Sequence, residues 1–166
     1  MLLSTLTSYA ASPNRDSYSL NDNWRFYYAD AADGANADYI TLPHTWNCVV
    51  EEGKYLRTSA NYLREVEIPA DWQGRRIFLR FGGAQTVTEL FVNGRYVGEH
   101  HGGFTAFIFE ITDFVRYGER NYLRVVVSNS QRSDVLPLST DLNLMGGIYR
   151  DVELITAPRN IISPLY

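Results

Sequence analysis

The sequence predicts an all-β fold, an antiparallel jelly-roll sandwich of about eight to ten short strands. Short apolar runs with residue-by-residue alternation follow one another, and turn residues separate them every ~8–12 positions. The pair Asn93-Gly94 lies between two such runs, and both central residues of a tight type I′ hairpin turn need positive φ. No stretch has the period of a long amphipathic helix. Because hairpins and long loops both occur, the pattern favours a jelly roll.

The amino-terminal part gives few firm elements. Residues 1–19 are polar and turn-rich, which predicts a mobile arm. A short aromatic strand is predicted at Trp24–Tyr28, and a second brief strand at Tyr39–Leu42 ends at Pro43. Residues 47–59 have no clear period and are interpreted as a surface loop.

From residue 61 onward the strand pattern is firmer. Strands are predicted at Tyr62–Ile68, Arg75–Phe81, Thr86–Val92, Arg95–Gly98, Phe104–Ile111 and Asn121–Ser128. In the second of these, Ile77, Leu79 and Phe81 should face the core. Residues 100–103 are predicted to begin a loop, and residues 112–115 to form one turn of helix at most.

A glycine pair follows the polar loop 129–143 and precedes the last predicted strand, which starts at Ile148. Gly146 and Gly147 should mark a sharp bend, because glycine tolerates positive φ and close backbone approach. Arg150 then falls on the same face as Ile148 and Val152. A buried guanidinium is costly without a carboxylate or carbonyls around it, so we predict that Arg150 is a paired structural residue.

Composition excludes several classes of function. The net charge is −4 and the basic residues are scattered, so nucleic acid is not an expected partner. No apolar run approaches the ~18–20 residues of a membrane span. The single cysteine, Cys48, and three scattered histidines give no metal-ligand spacing. Phosphate-loop and dinucleotide motifs are also missing, so no cofactor is predicted, and no localisation is assigned.

No complete catalytic constellation is found. Glycoside hydrolysis needs two carboxylates flanking one bond. The pair Glu51-Glu52 lies in a predicted loop, and Glu65 with Glu67 has the spacing of a solvated strand face. Neither pair is interpreted as catalytic.

Five motifs in order resemble the amino-terminal domain of glycoside hydrolase family 2, which contains β-galactosidases, β-glucuronidases and β-mannosidases. They are L-N-D-N-W-R-F (20–26), L-P-H-T-W (42–46), F-V-N-G-R-Y-V-G-E-H-H-G-G-F-T-A-F (91–107), G-E-R-N-Y-L-R-V-V-V (118–127) and D-x-x-x-x-G-G-I-Y-R-D-V (141–152). His100, Gly102 and Gly103 take the family's H-x-G-G positions, which we interpret as structural.

The resemblance implies a galactose-binding-domain-like jelly roll over residues 20–157. Residues 158–166 would then lead toward an immunoglobulin-like domain, and the two catalytic glutamates would lie in a later (β/α)₈ barrel. The fragment alone is therefore expected to be inactive. Asp141, six positions before Gly147, would reach the barrel and bind hydroxyls of a terminal β-linked sugar. Members of this family are often homo-oligomers, but the sequence does not indicate the oligomeric state.

The residues themselves leave three hypotheses. The domain lends a sugar-binding loop to an exo-glycosidase, or it is a free-standing carbohydrate-binding module that uses Trp46 or Trp72 as a stacking platform. Alternatively it is a sandwich that only positions its neighbours. Without the motif register, Asp141 would be interpreted as a carboxylate that caps its own loop. The reading frame beyond Tyr166 would discriminate among the three hypotheses.

Overall fold

The computed structural model describes residues 15–29, 37–47, 56–135 and 145–161. Within these ranges, ten strands form two antiparallel sheets, and the one helical element is a 3₁₀ turn at Ala70–Trp72. The predicted all-β sandwich is confirmed. No helix in these ranges has the length and apolar character needed to cross a membrane.

The strands differ in length from three to ten residues. In chain order they are β1 (Asp16–Ser19), β2 (Trp24–Tyr28), β3 (Asp38–Ile40), β4 (Ser59–Ile68), β5 (Arg76–Phe81), β6 (Val87–Val92), β7 (Arg95–His101), β8 (Phe107–Glu110), β9 (Glu119–Ser128) and β10 (Val152–Ala157).

The chain crosses repeatedly between the two sheets. The smaller sheet has the strand order β1-β10-β5-β8, and the larger has the order β3-β2-β4-β9-β6-β7. The longest ladder joins β4 to β9, from the pair Ser59 and Ser128 to the pair Ile68 and Glu119. Such non-sequential neighbours are what the jelly-roll connections produce.

The core lies between the sheets and follows the predicted alternation. Ile77, Leu79 and Phe81 of β5 are fully buried and face the apolar side chains of the larger sheet. The intervening Phe78 is also buried, because Ile155 and other apolar side chains cover the outer side of the smaller sheet. Both sides of β5 therefore pack against apolar partners.

The hairpin predicted at Asn93-Gly94 is confirmed. Asn93 has φ of 52° and Gly94 has φ of 80°, as a type I′ turn requires. The turn joins β6 to β7.

The predicted mobile arm over residues 1–19 is wrong for its last four residues. Asp16–Ser19 form β1, which pairs with β10 at the edge of the smaller sheet. The ring of Tyr18 packs against Trp72 at 5.2 Å. A short edge strand with mostly polar residues carries little apolar alternation, so the sequence pattern missed it. Residues 1–14 lie outside the described residues.

Several element boundaries also differ from the prediction. β3 ends before Leu42, and β7 continues to His101, so the loop predicted from residue 100 begins at Gly102. β8 begins three residues later than predicted. Residues 112–115 form a hydrogen-bonded turn rather than a helix, with Phe114 N and Val115 N donating to Ile111 O.

The last strand starts at Val152 rather than Ile148. The chain bends over residues 148–151, which are not paired in a ladder, so the alternation does not run through them. Ile148 is buried as predicted, but Arg150 is exposed. The prediction that Arg150 lies on the buried face is therefore wrong.

Candidate functional site

Asp141 and the rest of segment 136–144 lie outside the described residues. The structure describes both ends of this segment, Val135 and Met145. Val135 is buried, whereas Met145 is exposed. The site can therefore be characterised by the residues that hold the end after Met145, which we call the glycine rim: residues 42–47, 83–86, 102–103 and 146–149.

Gly146 has no room for a side chain. A Cβ atom at this position would lie 2.0 Å from Cζ2 of Trp46, so the indole ring covers the backbone directly. The backbone N–H of Trp46 also donates to Gly146 O at 3.2 Å. Because Trp46 is itself buried, it cannot move aside.

Gly147 is restricted by both conformation and space. Its φ of +129° favours glycine, and a Cβ atom would lie 2.5 Å from His44 O and 2.9 Å from the Tyr62 hydroxyl. Its carbonyl accepts a hydrogen bond from Gln85 N at 3.0 Å. The glycine pair is thus held between residues 44–46 on one side and Gln85 on the other.

A buried hydrogen-bond chain lies under Gly147. The Tyr62 hydroxyl is 2.9 Å from His44 Nδ1 and also contacts the backbone of Ile148. Burial raises the pKa of Tyr62, so the phenol stays protonated, and burial lowers the pKa of His44. We assign the phenol proton to His44 Nδ1, which leaves the neutral imidazole with its own proton on Nε2.

The other side of the rim is formed by Gly103 and Tyr149. A Cβ atom on Gly103 would lie 2.8 Å from Cγ of Gln85, and one on Gly83 would lie 2.8 Å from the Tyr149 hydroxyl. That hydroxyl donates to Gly103 O. Gly102, with φ of +121°, donates from its backbone N–H to Thr86 O at 2.9 Å. The glycines near residue 100 and those near residue 146 therefore meet through Gln85 and Tyr149.

His100 is a packing residue of the rim. Its ring stacks on Phe107 with centroids 3.9 Å apart and planes 9° from parallel. Burial lowers its pKa, and within the described residues its Nε2 has no hydrogen-bond partner. A neutral, stacked imidazole supports the backbone turn at Gly102 and has no geometry for proton transfer.

Arg150 has a surface role. Its guanidinium donates to Gly82 O at 3.3 Å and lies 5.3 Å from the centre of the Tyr149 ring. No buried carboxylate contacts it among the residues described here, so the predicted buried pairing is wrong. The carbonyl contact lies next to the rim and links residues 82 and 150.

The buried arginine that the sequence reasoning missed is Arg64. It is 8% exposed, donates to Leu20 O at 3.0 Å and lies 5.8 Å from the centre of the Trp24 ring. Burial lowers its pKa to about 10, opposed by the charge of Asp22. The signal was available, because Arg64 alternates with Tyr62 and Val66 on the apolar face of β4.

The carboxylates near the rim do not form a catalytic pair. Glu99 and Asp134 both contact the exposed His101, at 3.1 Å and 3.8 Å. Arg132 holds the pKa of Asp134 at about 2, so this carboxylate stays ionised and cannot act as a general acid at neutral pH. Glu65 pairs with Arg120 at 3.2 Å on an exposed face, and Glu51-Glu52 lie outside the described residues.

No group of histidine, cysteine and acidic side chains in the described part of the chain could hold a metal ion. The arrangement instead provides a rigid backbone support for segment 136–144. Chemically, the rim can position a side chain of that segment, and it carries no reactive group of its own.

Comparison with known proteins places this rim in a recognised context. Residues 53–158 match the family described as "Glycosyl hydrolases family 2, sugar binding domain". A β-glucuronidase from Bacteroides fragilis is 41% identical over 163 residues, covering 96% of this chain and 23% of the relative. A β-galactosidase from Thermoanaerobacter pseudethanolicus is 34% identical over 141 residues, covering 81% of this chain and 18% of the relative.

Solved structures give the same result. Bacteroides uniformis β-glucuronidase 2, covalently bound to cyclophellitol-6-carboxylate aziridine, superposes with a TM-score of 0.80 at 38% identity. The match covers 87% of this chain and 18% of that one. A β-D-glucuronidase from Dictyoglomus thermophilum gives a TM-score of 0.75 at 28% identity, covering 91% and 30%. This chain therefore spans between about a sixth and a third of the length of the proteins it matches.

Proposed function

Because the chain belongs to the sugar-binding domain family of the family 2 glycosyl hydrolases, we propose that it serves as that domain in a larger exo-acting glycosidase. The larger protein would hydrolyse terminal β-linked sugars, with its paired carboxylates on another domain. Residues 158–166 would lead into the next domain, of immunoglobulin-like fold. The similarity to parts of β-glucuronidases and β-galactosidases supports this proposal.

Asp141 is the residue that would contact the sugar. The observation that carries this step is the immobilised pair Gly146-Gly147, which holds the chain five residues after Asp141. An ionised carboxylate accepts two hydroxyl hydrogen bonds, each stronger than a bond between neutral groups. Fixing the nearby backbone lowers the entropy lost when such a side chain binds a ligand.

The chain by itself should neither hydrolyse glycosides nor bind free sugars tightly. The described carboxylates form no pair flanking a cleft, and one or two hydrogen bonds from a single segment cannot offset the ~4 kcal/mol or more that association costs. We expect no turnover of nitrophenyl β-glycosides by the purified chain and a dissociation constant of roughly millimolar or weaker.

The alternative of a free-standing module that uses Trp46 or Trp72 as a platform loses its support. The two rings are 7% and 4% exposed, so neither presents a face to a ligand. The alternative of a purely structural sandwich remains testable, because it assigns Asp141 no contact with substrate.

The decisive experiment is a chimera in which this chain replaces the matching residues of the Bacteroides fragilis β-glucuronidase. The chimera is assayed on nitrophenyl β-glucuronide and β-galactoside, since relatives of both kinds match. Asp141→Asn should then lower kcat/KM at least about tenfold, or ~1.4 kcal/mol, without changing the melting temperature. The same variant in the protein encoded by the complete reading frame should give the same loss.

Asp113→Asn is the matched control, because Asp113 is exposed on a turn distant from the rim. This control should keep full activity. If Asp141→Asn retained wild-type kinetics in an active chimera, Asp141 would have no substrate contact and the structural alternative would stand.

A further inference from the structure

We propose that the outer face of the six-stranded sheet is a binding platform for a neutral polysaccharide chain. This proposal goes beyond the function assigned to the glycine rim and does not rest on it. It begins with the strand register, which places one side chain from every strand in a single line. We call this line the outer row: Tyr39, Arg25, Leu63, Arg124, Phe91 and Tyr96.

The outer row faces away from the core. The residues that alternate with it, such as Tyr62, Leu123 and Leu90, are fully buried between the sheets. Neighbouring strands are ~4.8 Å apart, so six strands give a row roughly 24 Å long. That length matches several consecutive sugar units of an extended chain.

Exposed aromatic side chains concentrate on this face. Among the described residues, the aromatic rings with large exposure are Tyr39 (76%), Tyr96 (51%), Phe104 (62%) and Tyr122 (53%). Three of these four lie on the outer face, since Tyr122 is two residues before Arg124 in β9. Exposed rings with a polar hydroxyl present an apolar surface that can stack on sugar C–H groups and a tip that stays hydrated.

The corner of the face is already ordered without a ligand. The rings of Phe91 and Tyr96 contact edge to face at 5.3 Å, and the guanidinium of Arg124 lies 4.0 Å from the centre of the Phe91 ring. Side chains that are held in place lose little rotamer freedom when a ligand arrives. The corner therefore has the preorganisation expected of a binding surface.

Charges of both signs flank the row, which indicates the chemistry of the ligand. Glu89 and Glu99 lie directly opposite each other on β6 and β7, next to the aromatic corner. Like charges in that arrangement are unfavourable for the sheet itself. On the other side, Glu65 pairs with Arg120.

A neutral polyhydroxyl chain fits this mixture. Its hydroxyl groups can donate to the carboxylates and accept from the Arg124 guanidinium, while its ring faces stack on tyrosine. A uniformly charged polymer would be repelled by one set of charges. A protein partner is less suited, because the centres of protein interfaces are depleted in charged side chains.

Native electrophoresis of the 166-residue chain through gels containing galactomannan, arabinoxylan or mixed-linkage β-glucan tests the proposal. At least one of these polysaccharides should retard the chain. The double variant Tyr96→Ala/Tyr122→Ala should lower the association constant at least about tenfold. Phe104→Ala is the matched control, because it removes an exposed ring at the rim and should leave the retardation unchanged. Unchanged melting temperatures show that every variant is folded.

Other outcomes overturn the proposal. Absence of retardation by all three polysaccharides removes the platform, and retardation that survives the double variant removes the face assignment. Preferential binding to polygalacturonate that disappears at ~0.5 M salt identifies a charged ligand instead. A dimer in sedimentation that depends on Tyr96 and Tyr122 shows that a second copy covers the face. Asp141→Asn should not alter retardation, so loss of binding in that variant would place the glycan at the rim.

Discussion

The indole ring of Trp46 occupies the space that a side chain at residue 146 would need. Gly146→Ala places Cβ 2.0 Å from Cζ2 of this buried ring, so the ring or the backbone must shift. Overpacking of this kind costs about 1–3 kcal/mol, and we expect a loss of unfolding free energy in that range from urea titration.

Gly98→Ala serves as the control for Gly146→Ala. Its added methyl group would meet Phe109 at 3.4 Å, an ordinary contact distance. This variant should lose clearly less stability. Equal losses in the two variants would mean that glycine substitution in general, and not the Trp46 contact, determines the cost.

The two arginines 64 and 150 should respond in opposite ways to what the sequence pattern indicated. Arg150 is exposed, so Arg150→Met should change the unfolding free energy by no more than about 0.5 kcal/mol, rather than by the few kcal/mol expected for a buried anchor. Arg64 is buried with its Nε unpartnered in the described residues. Arg64→Met should therefore be nearly neutral, because it removes an incompletely paired charge and keeps most of the volume.

Arg64→Ala is the informative companion of Arg64→Met. It removes the aliphatic stem beside Trp24 as well as the charge, and should cost about 2 kcal/mol or more in the same unfolding experiment. A large loss in both Arg64 variants would show that the guanidinium itself stabilises the core.

At the scale of single residues, the sequence predicted which glycines matter but misplaced the buried arginine. Alternation assigns a face correctly only if the strand is already extended at that residue. Residues 148–151 bend before β10, so the face predicted for Arg150 does not apply. The side chain that closes over Gly146 comes from residue 46, a long-range contact that local pattern cannot reveal.

The β6–β7 hairpin depends on one asparagine. Asn93 donates to Phe114 O at 2.9 Å and to Asn121 Oδ1 at 2.8 Å, and it accepts from Tyr122 N at 3.0 Å. Asn93→Ala loses these bonds and places a Cβ-bearing residue without side-chain hydrogen bonding at positive φ. We expect a loss of about 2–4 kcal/mol in unfolding free energy, measured by thermal or urea denaturation.

Asn93→Gly separates the two causes. It loses the same hydrogen bonds but tolerates the backbone conformation, so it should be about 1 kcal/mol less damaging than Asn93→Ala. Identical losses would assign the whole effect to the hydrogen bonds.

At the scale of elements, strands with long apolar alternation were predicted well and short edge strands were not. β5, β6 and β9 agree with the prediction within two residues, because each buries every second side chain. β1 and β3 lie at sheet edges, where polar residues are tolerated and the alternation is weak. Segment 136–144 contains Asp141, so the sugar contact remains a prediction from motif register alone.

For the molecule as a whole, two histidines should make stability depend on pH. Burial lowers the pKa values of His44 and His100, so between pH 6.5 and their folded values the unfolded chain binds more protons than the folded one. The stabilising contribution is complete above pH 6.5 and is lost as the pH falls through the folded values. The unfolding free energy should therefore fall from pH 7 toward pH 5.

The double variant His44→Gln/His100→Gln should show a flatter pH profile over the same interval, whatever its absolute stability. His101→Gln keeps both buried rings and should keep the fall. A wild-type profile that is flat from pH 7 to pH 5 would contradict the assignment of the two rings as neutral.

The pairing of β1 with β10 has a mechanical consequence. Asp16 lies opposite Thr156, so the first and last strands of the described sandwich enter and leave side by side at one end. Tension applied between residues 15 and 157 would open the four residue pairs of this ladder one after another, instead of loading them all together. Force spectroscopy on tethered molecules should therefore record an early, low-force release of β1 before the remaining nine strands rupture. A domain attached in this way can yield at its hinge under load and keep the glycine rim intact.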